Sequence, residues 1–137
     1  QKIKQIIYDL KLENSVKLAG YVIRDEKLQL LESAKIFVLP SYSDVHPASI
    51  TEAVMMGIPI LATKNCDYPE IEEYDVGIIG EPNVDFIYEG LQKMLTNEKQ
   101  LNLFSNNTKR LIKEKFNIPI EKLEHMFIYA IKNKARK

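Results

Sequence analysis

The residues that could do chemistry in this chain gather in one stretch, "LPSYSDVHPASITEAVMMGIPILAT", residues 39–63. Two carboxylates, Asp44 and Glu52, stand there with seven residues between them, among them His46, Ser49 and Thr51. The stretch reads as an apolar strand, a polar loop, a short helix closed by Gly57 and a second apolar strand. In open α/β sheets ligands bind beyond the carboxyl ends of the strands, which is where residues 41–49 fall. A helix N-terminus offers unpaired N–H groups and partial positive charge, a setting that suits a phosphate. A carboxylate about one to two turns into that helix can accept hydrogen bonds from both hydroxyls of a ribose diol. A second acid in the loop can hold the hydroxyls of a sugar. A plainer alternative competes. Ser49-Ile50-Thr51-Glu52 fits the capping-box pattern, and Asp44 fits a turn cap. On spacing alone the plainer reading is the stronger of the two.

Alternating helices and strands must position these groups. Ile3, Ile6, Ile7 and Leu10 repeat at helical spacing, so the chain opens in a helix. "VKLAG" (16–20) reads as a strand stopped by Gly20, and Asp25 as the cap of a helix carrying Leu28, Leu30 and Leu31. "KIFVLP" (35–40) is a continuous apolar run, the mark of a strand buried on both faces. A helix over 48–56 and the strand "PILAT" (59–63) follow, with Met55 and Met56 packing on the sheet. "CDYPEIEEY" is a loop with one helical turn, in which Glu70 either caps that turn or lies near a ligand. "VGIIG" (76–80) is a fourth strand, and helices are expected over 84–96, 98–115 and 120–135. This order implies an α/β fold, a Rossmann-like, doubly wound parallel sheet.

Composition narrows the function classes. The 137 residues are ordinary for one domain, and the 45% apolar and 28% charged shares are those of a soluble globular protein. Nineteen Lys and Arg balance nineteen Asp and Glu, so nothing favours a nucleic-acid partner. The lone Cys66 cannot form an internal disulfide, which points to a reducing, cytoplasmic setting, and it reads as an unreactive thiol near a strand end. His125, beside Met126 and Phe127, reads as a packing or surface residue, and no cluster suggests a metal.

"PSYSDVHPASITEAVMMGIPILAT" resembles the signature of group-one (family-four) glycosyltransferases of the two-domain GT-B architecture, which retain the anomeric configuration. The likeness rests on Pro40-Ser41, the acid-x7-acid pair Asp44 and Glu52, Ala53, Gly57 and Pro59. "VKLAGYV" and "DYPEIEEYDVGII" resemble flanking segments of that family, so the likeness runs over roughly residues 1–116. The resemblance implies a nucleotide-sugar donor with Glu52 on its ribose and Asp44 on its sugar. It places backbone N–H groups near Ala48, Ser49, Ile50 and Thr51 on the diphosphate, His46 beside them, and the chain at Tyr21 and Val22 on the base. It implies no cofactor and no metal. Three positions depart from the pattern: Asp44 stands where Glu is usual, His46 where an aromatic is common, and Pro47 where Gly is common.

The resemblance further implies a partial C-terminal half of the GT-B fold. Residues 1–137 are then a single incomplete nucleotide-sugar-binding domain, and a helix at about 120–137 crosses to an N-terminal domain. The basic residues that clamp the diphosphate and the acceptor site (glycan or glycolipid) are expected upstream of Gln1, so the chain alone is expected to be inactive. "KIFVLP" should then pair with "PILAT" on one side only. The basic end "KNKARK" makes contact with the inner face of a membrane a further expectation. Two other classes stay open on the sequence: a GT-B-type nucleotide-sugar epimerase and a non-catalytic α/β binding module.

Overall fold

The computed structural model describes residues 2–117, which divide along the chain, between Leu30 and Leu31, into two compact units. The expected helix at 120–135, with His125 and the basic end, lies outside the described residues.

The first unit holds α1 (Lys2–Asp9) and most of α2 (Arg24–Ser33). Ile3, Ile6 and Leu10 of the apolar repeat at α1 are all exposed. α2 starts one residue before Asp25, which therefore sits in its first turn and does not cap it. Residues 16–20 are not a strand. A strand exists only by pairing; the Val16 N–H is instead turned back onto the Leu12 carbonyl, and Gly20 takes a left-handed φ of 70°. "VKLAG" has strand composition without a partner among the described residues.

In the second unit three parallel strands form a sheet in the order β1-β2-β3: β1 (Phe37–Leu39), β2 (Ile60–Thr63) and β3 (Gly77–Gly80). Phe37 pairs with Ile60, and Ile60 with Gly77. Between β1 and β2 lies α3 (Ala48–Met55), ended by Gly57 at φ 75°. A 3₁₀ turn (Lys64–Cys66) and α4 (Glu70–Glu73) join β2 to β3, and α5 (Val84–Thr96) and α6 (Glu98–Lys115) follow. The last two start where they should: the side chain of Asn83 accepts from the Phe86 N–H at 2.8 Å and that of Asn97 from the Gln100 N–H at 3.1 Å.

Period-two alternation along β2 builds two cores. Ile60 and Ala62 face a cluster with Ile50, Val54, Ile71 and Leu111, whereas Leu61 faces the other way onto Met94 and Phe104. The sheet is thus covered on both faces, as a parallel sheet requires. All of β2 is buried. β1 pairs with β2 and with no other described segment, so its residues are only half-buried, and the expected burial on both faces holds for β2 instead. Serving as anchor for α6, the Ser105 hydroxyl donates to the Gly57 carbonyl at 2.6 Å and the Asn107 amide to the Asp75 carbonyl at 2.8 Å.

One position of the sheet admits no side chain. A Cβ on Gly77 would stand 1.9 Å from the carbonyl oxygen of Ile60, its partner in the central strand. Backbone cannot yield there without breaking the ladder. Gly77→Ala is expected to destabilise the protein by roughly 3 kcal/mol or more, read as a lower urea midpoint. A variant that unfolds at the wild-type midpoint would show that β2 and β3 are not packed in this register.

Candidate functional site

In a parallel sheet the carboxyl ends of neighbouring strands open on the same edge. The loop leaving β1 (residues 40–47) and the segment leaving β2 (residues 64–69) therefore emerge side by side. Backbone bonds clasp them: the Asp44 N–H donates to the Asn65 carbonyl at 3.0 Å and the His46 N–H to the Cys66 carbonyl at 3.2 Å. The Asn65 amide donates to the Tyr42 carbonyl at 2.9 Å, and the Thr63 hydroxyl to the Ser41 carbonyl. Cys66 is fully buried behind the clasp, its thiol 3.6 Å from the Leu39 carbonyl, which makes it a packing residue.

Two non-glycine residues take left-handed backbone within this clasp, His46 (φ 49°) and Asp67 (φ 45°). Both are types that tolerate the region better than most. They touch: His46 Nδ1 lies 3.1 Å from the Asp67 carbonyl oxygen. The imidazole stacks on Tyr68 with ring centres 4.5 Å apart and planes 17° from parallel. Tyr68 in turn shares a 3.0 Å hydrogen bond with the Thr51 hydroxyl on α3. Burial pushes the Tyr68 phenol pKa up, the Thr51 bond opposes that shift, and the charge of Glu70 adds to it.

The start of α3 falls where it was expected, at Ala48, and corrects the capping-box expectation. Pro47 is its N-cap, with an extended ψ of 124°, so Pro47 precedes the helix and Ala48 is its first residue. No side chain caps the helix. Ser49 is therefore inside the first turn, and the capping box, which needs Ser49 at the cap, is not formed. Of the N–H groups at 48–51, that of Ile50 is already bonded to the Pro47 carbonyl at 3.0 Å, and the Ile50 side chain is core. The N–H groups of Ala48 and Ser49 lie in the first turn, where a helix has no internal acceptor to offer. Asp44 and Glu52 are both half-buried. Asp44 Oδ1 accepts from the Val45 N–H at 3.0 Å, a local contact that leaves its second oxygen for other partners. Tyr21 and Val22 belong to the first unit, in the segment before α2, with Tyr21 almost wholly exposed.

Glu70 was expected as a helix cap or a ligand neighbour. Pro69 takes the cap position of α4 without a side-chain bond, and Glu70 is buried. Its Oε1 lies 3.3 Å from Lys115 Nζ at the end of α6, and its Oε2 lies 3.8 Å from His46 Nε2. The hydrogen bond to Glu70, then its charge, hold the Lys115 pKa above its usual value. No spacing rule links Glu70 to Lys115, since only tertiary folding brings α4 and the end of α6 together. On the same sheet edge Lys64 pairs with Glu81 at 2.7 Å. Among the described residues no group of three His, Cys, Asp or Glu is placed to hold a metal, and no helix is long and apolar enough to cross a membrane.

The sequence model described as "Glycosyl transferases group 1" matches residues 1–111. The chain belongs to that family. Across 132 residues, or 92% of this chain and 33% of the relative, it is 29% identical to the UDP-Gal:alpha-D-GlcNAc-diphosphoundecaprenol alpha-1,3-galactosyltransferase of Escherichia coli. It is 32% identical over 81 residues, 55% of this chain and 20% of the relative, to the amylovoran biosynthesis glycosyltransferase AmsK of Erwinia amylovora. Among solved structures, WaaG, described as a glycosyltransferase involved in lipopolysaccharide biosynthesis, superposes with a TM-score of 0.73 at 21% identity over 83% of this chain and 31% of its own. This group 1 chain therefore has the α/β fold of part of a GT-B protein. It spans about a fifth to a third of the length of these curated relatives.

In this group 1 site Tyr68 joins the loop to α3, and its chemistry gives a pH test. A phenol whose folded pKa is raised stays neutral where the unfolded chain has begun to ionise. Its contribution is whole below the unfolded value, about 10, and is lost as pH rises through the folded one. Tyr68→Phe is expected to cost about 1 kcal/mol at neutral pH through the lost Thr51 bond. It should also flatten the alkaline limb of stability above about pH 10. A pH series of urea midpoints checks both, and an unchanged alkaline limb would contradict the burial argument.

Proposed function

We propose that this chain is the donor-binding part of a retaining glycosyltransferase that moves a sugar from a nucleotide-sugar to a glycan or glycolipid acceptor. The observation that carries the reading is the placement of the acid pair. Asp44 and Glu52 flank the turn from β1 into α3 on the ligand-binding edge of the sheet, in a chain of the group 1 family. Glu52 accepts from the ribose hydroxyls. Asp44 accepts from hydroxyls of the donor sugar, with a carboxylate one methylene shorter than Glu. The N–H groups of Ala48 and Ser49 and the positive end of α3 face the diphosphate. Ile50 and Thr51 support that turn, by burial and through Tyr68.

The chemistry breaks the bond between the anomeric carbon and a diphosphate oxygen, so negative charge grows on the leaving group. Fixed donors aimed at it lower the barrier. α3 supplies part of that stabilisation. The remainder, with the acceptor site, comes from other parts of the protein that carries this chain, and the chain alone binds without transferring. The galactosyltransferase relative is named for a diphosphoundecaprenol acceptor. That likeness supports a lipid-linked acceptor here and work at the cytoplasmic face of a membrane.

Glu52→Ala in the full protein is expected to weaken UDP or GDP, whichever binds, by about 10- to 150-fold, the value of a charge-assisted contact of roughly 1.5–3 kcal/mol. Calorimetry with both nucleotides checks this, and unchanged affinity would end the ribose assignment.

Pro47→Gly adds an N–H at the N-cap beside the proposed sugar position. It should change preference among donor sugars by about tenfold while changing affinity for the free nucleotide by less than about threefold. Competition between nucleotide-sugars is the measurement; equal changes in both would mean that the residue acts through helix stability alone.

A further inference from the structure

Glu70 is the one buried side-chain nitrogen- or oxygen-bearing group among the described residues that keeps an unsatisfied atom. Oε1 meets Lys115, while Oε2 is buried with no hydrogen-bond partner. A lone buried carboxylate oxygen is costly, and the nearest polar atom named for it is His46 Nε2 at 3.8 Å, too far for a hydrogen bond and close enough for an ion pair. The ring's other nitrogen settles which proton is present. His46 Nδ1 faces the Asp67 carbonyl, which can only accept, so Nδ1 carries a hydrogen. In the neutral ring Nε2 then presents a lone pair to a carboxylate, acceptor against acceptor. In the protonated ring Nε2 carries a hydrogen that Oε2 can accept.

We propose that Glu70, anchored by Lys115, is a positioning residue that grips protonated His46 and so sets the left-handed turn carrying Asp44 and the start of α3. The stack on Tyr68 fixes the plane of the ring. Both ring nitrogens are then used inward, and His46 acts on a ligand through the loop. The charge beside the ring is Glu70 on α4, with Lys115 of α6 on its other oxygen and Glu73 acting on Lys115. The Tyr68 phenol is neutral, and Asp44 lies two residues earlier on the same loop. Protonation adds the grip, so the clasp is tighter with the ring charged than with it neutral. The consequence for the donor rests on the function proposed above; the grip itself does not.

Glu70→Gln is the decisive variant. Lys115 holds whichever oxygen faces it, so the amide oxygen stays at Lys115 and the NH2 falls opposite His46 Nε2, where it donates to the neutral ring. The measurement is hydrogen exchange of the Asp44 and His46 amides in the ligand-free full protein, corrected for intrinsic rates, from about pH 5.5 to about pH 8. Wild-type protection should fall about tenfold across that range, in keeping with loss of a charge-assisted bond. In Glu70→Gln, whose NH2 meets an acceptor only in the neutral ring, it should hold or rise across that range. His46→Asn, at an exposed residue whose replacement tolerates positive φ, should be low and level throughout. A level wild-type profile, or a fall that persists in Glu70→Gln or His46→Asn, overturns the proposal. UDP then separates the two readings: the exchange pattern without UDP binding sinks the donor site and leaves the grip, and UDP binding without the pattern sinks the grip.

Discussion

The central strand β2 is walled in on both faces, and the loop chemistry depends on that constraint. Ile60 and Ala62 enter one core and Leu61 the other. A strand held from both sides cannot slide, since a one-residue shift would send each side chain to the wrong face. Its carboxyl end therefore delivers residues 64–67 to a fixed place, and the β1 loop is hung on them by backbone bonds. Backbone donors make a position that does not depend on flexible side chains. Asp44 is placed by the main chain of Asn65, and α3 starts where the clasp ends.

The second layer of support is electrostatic and comes from far along the chain. Lys115 closes α6, and Glu70 opens α4. An exposed ion pair contributes little, but Glu70 is buried, and leaving its carboxylate without Lys115 would strand a charge in the core. The end of α6 is thus tied to the loop that neighbours the acid pair. The same carboxylate reaches Tyr68 by charge and His46 by proximity.

The elements around the site were legible because their signals are local. Short apolar runs marked β2 and β3, Gly57 marked the end of α3, and the helices expected over 84–96 and 98–115 match α5 and α6. Where a signal needs a partner, it failed. "VKLAG" has strand composition, yet nothing among the described residues pairs with it. "KIFVLP" read as buried on both faces, but its apolarity could not say which strand lies in the middle. At Ser49 the capping-box pattern was present, but the cap position is taken by Pro47, and which residue caps depends on a backbone angle that is not written in the residue type. The acid pair was visible by spacing, and its surroundings were not: Lys115, Tyr68 and the clasp at Asn65 are contacts made by folding, as is the pairing of Glu70 with Lys115.

The parallel sheet also orders events in time. β1 and β2 are joined by the whole of α3, and β2 and β3 by the 3₁₀ turn and α4, so neither pairing can begin as a tight hairpin. Each must first close a long connection, and the entropy of that closure is met before any ladder bond returns it. The clasp between the β1 loop and residues 64–67 has still less to nucleate it, because its two halves come into register only once β1 and β2 are already paired. The clasped carboxyl edge is therefore the last part of the sheet to be assembled during folding and the first to be lost when the β1–β2 pairing frays. A newly made chain would acquire its core before it acquired this clasp.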